Sequence, residues 1–171
     1  MDVKIKPSLL TIRRNKLRYI ILHHTSEIYK DSKSKINNNK YQMKGIYDGT
    51  LELKHGDVNY NFVIDKIDGE FSVFTCRPFT FLCDFDDIPD QYNRSAVHIG
   101  LMGNYDFKIS EKRCYEILAY RILNPISKMF KIPETNIFFH RELSDNKDLT
   151  CPGLFVDKTV IISMMRKYLI K

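Results

Sequence analysis

The sequence predicts a single α/β domain. Short apolar runs of β type (Tyr19 to Leu22, Val58 to Ile64, Ala96 to Met102, Ile137 to Phe139) share the chain with helical periodicity after Ser110 and from Thr159. No internal repeat and no linker divides them, so residues 1–171 form one unit. At 171 residues and 43% hydrophobic content, the chain is long enough to bury ~70% of its unfolded surface without a staple.

A basic leader, residues 1–17, opens the chain, and Tyr19 to His23 follows as a buried strand. The stretch from Ser26 to Asn39, rich in Lys, Ser and Asn, reads as a short helix and then a loop, with Asn37-Asn38-Asn39 as its break. Val58 to Ile64 and Glu70 to Thr75 flank Asp68-Gly69, the pattern of two strands joined by a tight turn. A polar, Asp-rich loop from Asp84 to Arg94 leads into the strand Ala96 to Met102, which Gly103-Asn104 ends. Ser110 begins a helix with Glu111 in its first turn and Ile117, Leu118 and Ile122 on one face. Pro125 is expected to kink that helix or to end its first segment. Ile137 to His140 is a short strand, and Thr159 to Leu169 is a closing amphipathic helix within the C-terminal segment 156–171.

Composition narrows the function classes. A formal charge of +6 permits a polyanionic partner, either nucleic acid or an anionic cell wall, and does not by itself choose. The basic clusters KIKPSLLTIRRNKLR and MMRKYLIK read as solvated faces rather than as a nucleic-acid footprint. Cys76, Cys83, Cys114 and Cys151 are scattered without a paired framework, and the chain opens without the n-region and h-region of a signal peptide. Synthesis in a reducing cytoplasm is therefore expected. No apolar run approaches the ~18 residues of a membrane span.

Three residues carry the chemistry. His140 stands eleven residues before Cys151 in FFHRELSDNKDLTCPG, and His23 closes the apolar run of RYIILHHT. Together they read as a His/His/Cys zinc site with a fourth position open, the pattern of a catalytic rather than a scaffolding metal. A strand ending in His is a rigid mount, and a Cys before Pro-Gly is expected in a tight turn that exposes its sulfur. A lone His and Cys at this spacing is more often packing than metal, so the assignment leans on its surroundings.

Those surroundings resemble one family in order along the chain: YIILHHT, NYNFVIDKIDGEFSVFTCRP, YNRSAVHIGLMGNYD and HRELSDNKDLTCPG. From about Arg18 to Phe155 the chain resembles the zinc amidases. That group includes amidase-type phage lysozymes, bacterial N-acetylmuramoyl-L-alanine amidases and animal peptidoglycan recognition proteins. The resemblance implies a central mixed β-sheet flanked by helices, a family-like core over 18–155, and one zinc ion on His23, His140 and Cys151. It implies hydrolysis of the amide between N-acetylmuramic acid and L-alanine, with peptidoglycan as the partner. Tyr60 falls where the family carries its catalytic tyrosine, although a Tyr in NYNFVI is also an ordinary strand residue.

Other positions stand near that implied cleft. His24 should point to the opposite side of its strand from His23, in a supporting or packing role. His98, where the family has a small residue, faces either the cleft or the surface. Asn61 is a further cleft candidate, and His55 reads as a solvated loop residue. Three departures weigh against activity. Leu149 stands where active relatives carry Lys or Thr as an oxyanion donor, with Lys147 and Thr150 the nearby substitutes. Ile88 stands where many relatives have a substrate-facing histidine, and Gly100 where cytosolic muropeptide amidases carry a glutamate. The expected function is a peptidoglycan amidase, as a phage endolysin or virion-borne lysin acting at the cell wall. The alternatives are a zinc-stabilised binding or structural module that has lost the reaction, and a regulatory protein-binding role.

Overall fold

The structure is a computed structural model that describes residues 10–25, 58–107 and 110–169. Its centre is a five-stranded sheet in the order β3-β2-β4-β1-β5. The strands are β1 (Tyr19–His24), β2 (Phe62–Ile67), β3 (Glu70–Thr75), β4 (Ala96–Leu101) and β5 (Ile137–Phe139). β1 runs parallel to both β4 and β5, β4 runs parallel to β2, and only β2 and β3 are antiparallel. The mixed sheet flanked by helices is the architecture expected. The hairpin turn is Asp68-Gly69, with φ of 51° and 86°, a left-handed pair that matches the twist of the two strands it joins. The predicted helix over Ser26 to Asn39 and the loop residue His55 lie outside the described residues.

Several boundaries differ from the sequence reading: the long helix begins at Lys112, with Glu111 before it rather than in its first turn, β4 ends at Leu101, and β5 ends at Phe139. Two further differences have a clear physical cause. β2 begins at Phe62 rather than Val58, because the backbone bends through Asn59 to Asn61 before it enters the sheet. The helix after Ser110 does not stop at Pro125. It runs as α2 (Lys112–Ile117), a π-helical stretch (Leu118–Leu123) and α3 (Asn124–Phe130) without a gap. Proline lacks an N–H and crowds the carbonyl four residues earlier, and the wider π turn directly before Pro125 relieves both problems. The rod ends at Lys131, which is left-handed at φ 56° and lets the Ile132 amide reach the Ser127 carbonyl at 2.9 Å. The last helix, α4 (Lys158–Leu169), is started by Asp157, whose Oδ1 accepts from the Thr159 amide at 2.8 Å.

Strand alternation divides the sheet into two faces. Ile20, Leu22, Val97, Ile99 and Leu101 pack with Leu118, Ile122 and Ile161 in the main core under the helices. Each such side chain stabilises the fold by ~1.5–3 kcal/mol on burial. The opposite face carries Ile21, His23, Ala96, His98 and Gly100. It is covered by the chain between Cys76 and Ser95, which includes the short helix α1 (Asp90–Asn93). Among the described residues, no helix is long and apolar enough to cross a membrane.

Candidate metal centre

The face of the sheet turned away from the main core ends in a cluster of imidazoles. His23, near the end of β1, pairs in register with Gly100 on β4 and is 1% exposed. Its Nε2 lies 3.0 Å from Nδ1 of His98, and its ring stacks on Phe85 with centroids 4.3 Å apart. β5 ends at Phe139, so His140 opens a 3-10 turn (His140–Glu142) and brings its ring to 4.7 Å from that of His23. The Phe139 amide donates to the Glu142 carboxylate at 2.6 Å, which fixes this turn. Nε2 of His140 donates to Oδ1 of Asp87 at 2.9 Å, and the other carboxylate oxygen accepts from the Ser144 hydroxyl at 3.3 Å.

Cys151 arrives from a turn that is tied to the His140 segment. The Arg141 amide donates to the Cys151 carbonyl at 2.9 Å, and the Arg141 guanidinium holds the carbonyls of Thr150 and Gly153, both at 2.8 Å. Gly153 has φ of +114°, and a Cβ there would sit 2.5 Å from Tyr105, so only glycine allows the turn to close. The sulfur is buried rather than exposed as the Cys-Pro-Gly pattern suggested, and it accepts the His24 amide at 3.4 Å. One ligand atom from each of His23, His140 and Cys151 lies within 4.8 Å of the others. Among the described residues this is the one such group.

Electrostatics suit a cation of borderline softness. Burial pushes the His23 imidazolium well below its usual range, with help from His98 and His140, and burial also lowers His140 despite Asp87. Neutral imidazoles keep the lone pairs that a metal needs. Burial pushes the Cys151 thiol up to about 12, so in the metal-free protein it is protonated, and binding a metal there would displace that proton. Two neutral imidazoles and one thiol at this separation fit zinc better than a hard cation such as magnesium or calcium.

Tyr60 precedes β2 and packs with Val58, Val63 and Met102, not on the Phe62 and Ile64 side that unbroken alternation would give. Its ring meets His23 edge-on at 5.5 Å. The ring also occupies the space above Gly100, where a Cβ would lie 3.3 Å from it. A glutamate at position 100 and this tyrosine would therefore compete for one place. Burial raises the Tyr60 phenol above its normal range, so it stays an O–H donor at neutral pH.

The remaining sequence candidates take distinct positions. His24 turns away from His23 and accepts the Tyr105 amide on Nδ1 at 3.3 Å. His98 is fully buried on the site face, so its place is inside and not on the surface. Asn61 spends its amide on backbone, donating to the Arg77 carbonyl and accepting from the His98 amide, each at 2.9 Å. The Thr150 hydroxyl donates to Asp106 at 2.8 Å, and Lys147 is exposed. Ile88 is buried against Ile21 and Ala96, which accounts for an apolar residue there. Sequence reading missed Phe85 and Asp87, both in the loop read only as polar and Asp-rich. The available signal was Asp87's place next to Ile88, the position already singled out.

The family model for N-acetylmuramoyl-L-alanine amidase matches residues 13–154. The chain belongs to that family. No curated protein sequence matches it. Among solved structures, the amidase LysC from Clostridium intestinale is similar with a TM-score of 0.69 and 19% identity, over 92% of this chain and 89% of that one. The endolysin of Thermus scotoductus bacteriophage Ph2119 gives 0.65 and 17% identity, over 94% and 92%. Drosophila PGRP-LB, a peptidoglycan recognition protein, gives 0.61 and 24%, over 84% and 79%. At these identities the structures share the amidase fold with this chain, and their individual activities remain their own.

Proposed function

We propose that this amidase-family chain is a zinc-dependent peptidoglycan hydrolase. It cleaves the amide between N-acetylmuramic acid and L-alanine, as a phage endolysin or virion-associated lysin acting on the cell wall. The observation that carries this reading is the convergence of His23, His140 and Cys151 beside the Tyr60 ring. His23, His140 and Cys151 would hold one zinc ion, which supplies a Lewis acid able to polarise an amide carbonyl and acidify water. The chain's own residues do the rest. Tyr60, held protonated by burial, donates a hydrogen bond to the oxygen that gains charge as the carbonyl is attacked. Phe85, stacked on His23 and edge-on to His140, limits water on that side of the ligands. Asp87 holds His140 by its Nε2–H and keeps the ring oriented.

One observation favours a second reading, a catalytically weak or inactive peptidoglycan-binding or virion module. Leu149 offers no side-chain donor, and the neighbouring Thr150 hydroxyl is already given to Asp106. The two readings separate when the zinc-loaded chain is incubated with purified peptidoglycan. Hydrolysis predicts new N-terminal L-alanine without new reducing sugar ends. Retention on the wall without amine release overturns the hydrolase and leaves the binding module.

A further inference from the structure

His98 is the polar residue on this face that neither the ligand set nor the tyrosine explains. Its side chain is fully buried in the middle of β4, where an apolar residue would ordinarily cost less. It is not part of the group of possible metal ligands, although its Nδ1 is 3.0 Å from Nε2 of His23. Its other nitrogen, Nε2, faces the Asn93 carbonyl at a long 3.5 Å.

The two contacts favour one direction for the protons. A carbonyl oxygen only accepts, so Nε2 of His98 carries its hydrogen. A neutral imidazole has one N–H, which leaves Nδ1 of His98 as an acceptor. The hydrogen between the two rings then belongs to Nε2 of His23, and Nδ1 of His23 keeps the free lone pair. With His98 in the other tautomer, two lone pairs would face each other at the Asn93 carbonyl in a place closed to solvent. His140 reaches the same state by a different route, because Asp87 accepts its Nε2–H and leaves its Nδ1 free.

We propose that His98 is a positioning residue that sets the tautomer and ring orientation of His23, so that His23 presents Nδ1 to the metal. It does for His23 what the Asp87 carboxylate does for His140, with an imidazole relaying the Asn93 carbonyl in place of a carboxylate. A neutral relay suits a ligand that is fully enclosed, where a carboxylate would need charge compensation. Asp87, by contrast, sits at the exposed edge. Phe85 holds the pair together, stacking on both His23 and His98 at 4.3 and 4.8 Å between centroids.

This inference rests on reading His23, His140 and Cys151 as the zinc ligands, and its test separates the two. In metal-free wild-type protein, nitrogen-15 NMR of the imidazoles should find His23 and His98 both protonated on Nε2. A proton on Nδ1 of His98 overturns the relay even if zinc binds well. Zinc affinity, measured by competition with a chromophoric chelator, should fall about 10- to 100-fold in His98→Val. His98→Asn, whose amide oxygen can accept near the place of Nδ1, should recover most of that loss. Wild-type affinity in His98→Val, or an equal loss in both variants, means that His98 only fills space. A wild type that binds no zinc, with the expected tautomers present, removes the ligand reading itself.

Discussion

Along β1 and β4, alternate residues serve two different purposes. Ile20, Leu22, Val97, Ile99 and Leu101 turn toward the helices and are uniformly apolar, while Ile21, Ala96, His23, His98 and Gly100 turn the other way and pass from apolar to polar along the strand. The first face is held by dispersion and area, which tolerate exchange among aliphatic residues of similar volume. The second is held by directional contacts at 3.0 Å between His23 and His98 and at 2.9 Å between His140 and Asp87, which tolerate little. Because the pleat sends successive residues to opposite sides, one short strand can specify the fold and mount a ligand without compromise.

That separation can be broken from either side. The largest effect is expected on the helix face, where Leu118→Ala removes a fully buried side chain and should cost ~2–5 kcal/mol in chemical denaturation. The folded fraction should still bind zinc in the same proportion, and a parallel loss of zinc would show that the two faces are coupled. On the site face, Tyr60→Phe should leave stability and zinc content unchanged while slowing amide release about 100- to 1000-fold. Normal turnover in that variant would remove the hydroxyl from the reaction. The smallest effect concerns pH. Cys151 keeps its proton up to about 12 in the metal-free protein, and the buried imidazoles are already neutral near pH 7. Zinc binding should therefore release one proton, and affinity should rise about tenfold for each pH unit near neutrality, as titration at several pH values would measure. A flat profile would mean that the thiol is not displaced.

The two faces also differ in how much of them the sequence reveals. The core strands and the closing helix are legible because apolar periodicity is a property of many residues at once, and β3 falls at Glu70–Thr75 as read. The start of β2 was not legible, since Val58, Tyr60, Phe62 and Ile64 alternate in sequence while the backbone bends at 59–61. Of the candidate site, His23, His140 and Cys151 are singled out by the ordered strings around them, and the structure brings them together. Phe85 is not legible, and Asp87 only through its place next to Ile88, because a loop has no period and its side chains find the site only through tertiary folding. His98 lies between these cases. Its strand was evident, but the face it serves depends on the pairing of Ile21 with His98 and of His23 with Gly100 across a parallel ladder that joins distant segments.

Elemental analysis of purified protein tests most directly whether His23, His140 and Cys151 meet at one metal. Wild-type protein should contain about one zinc per chain, and Cys151→Ala should retain a folded core with close to none. Equal zinc in both proteins, or a wild type that takes up no zinc when the ion is supplied, would contradict that site.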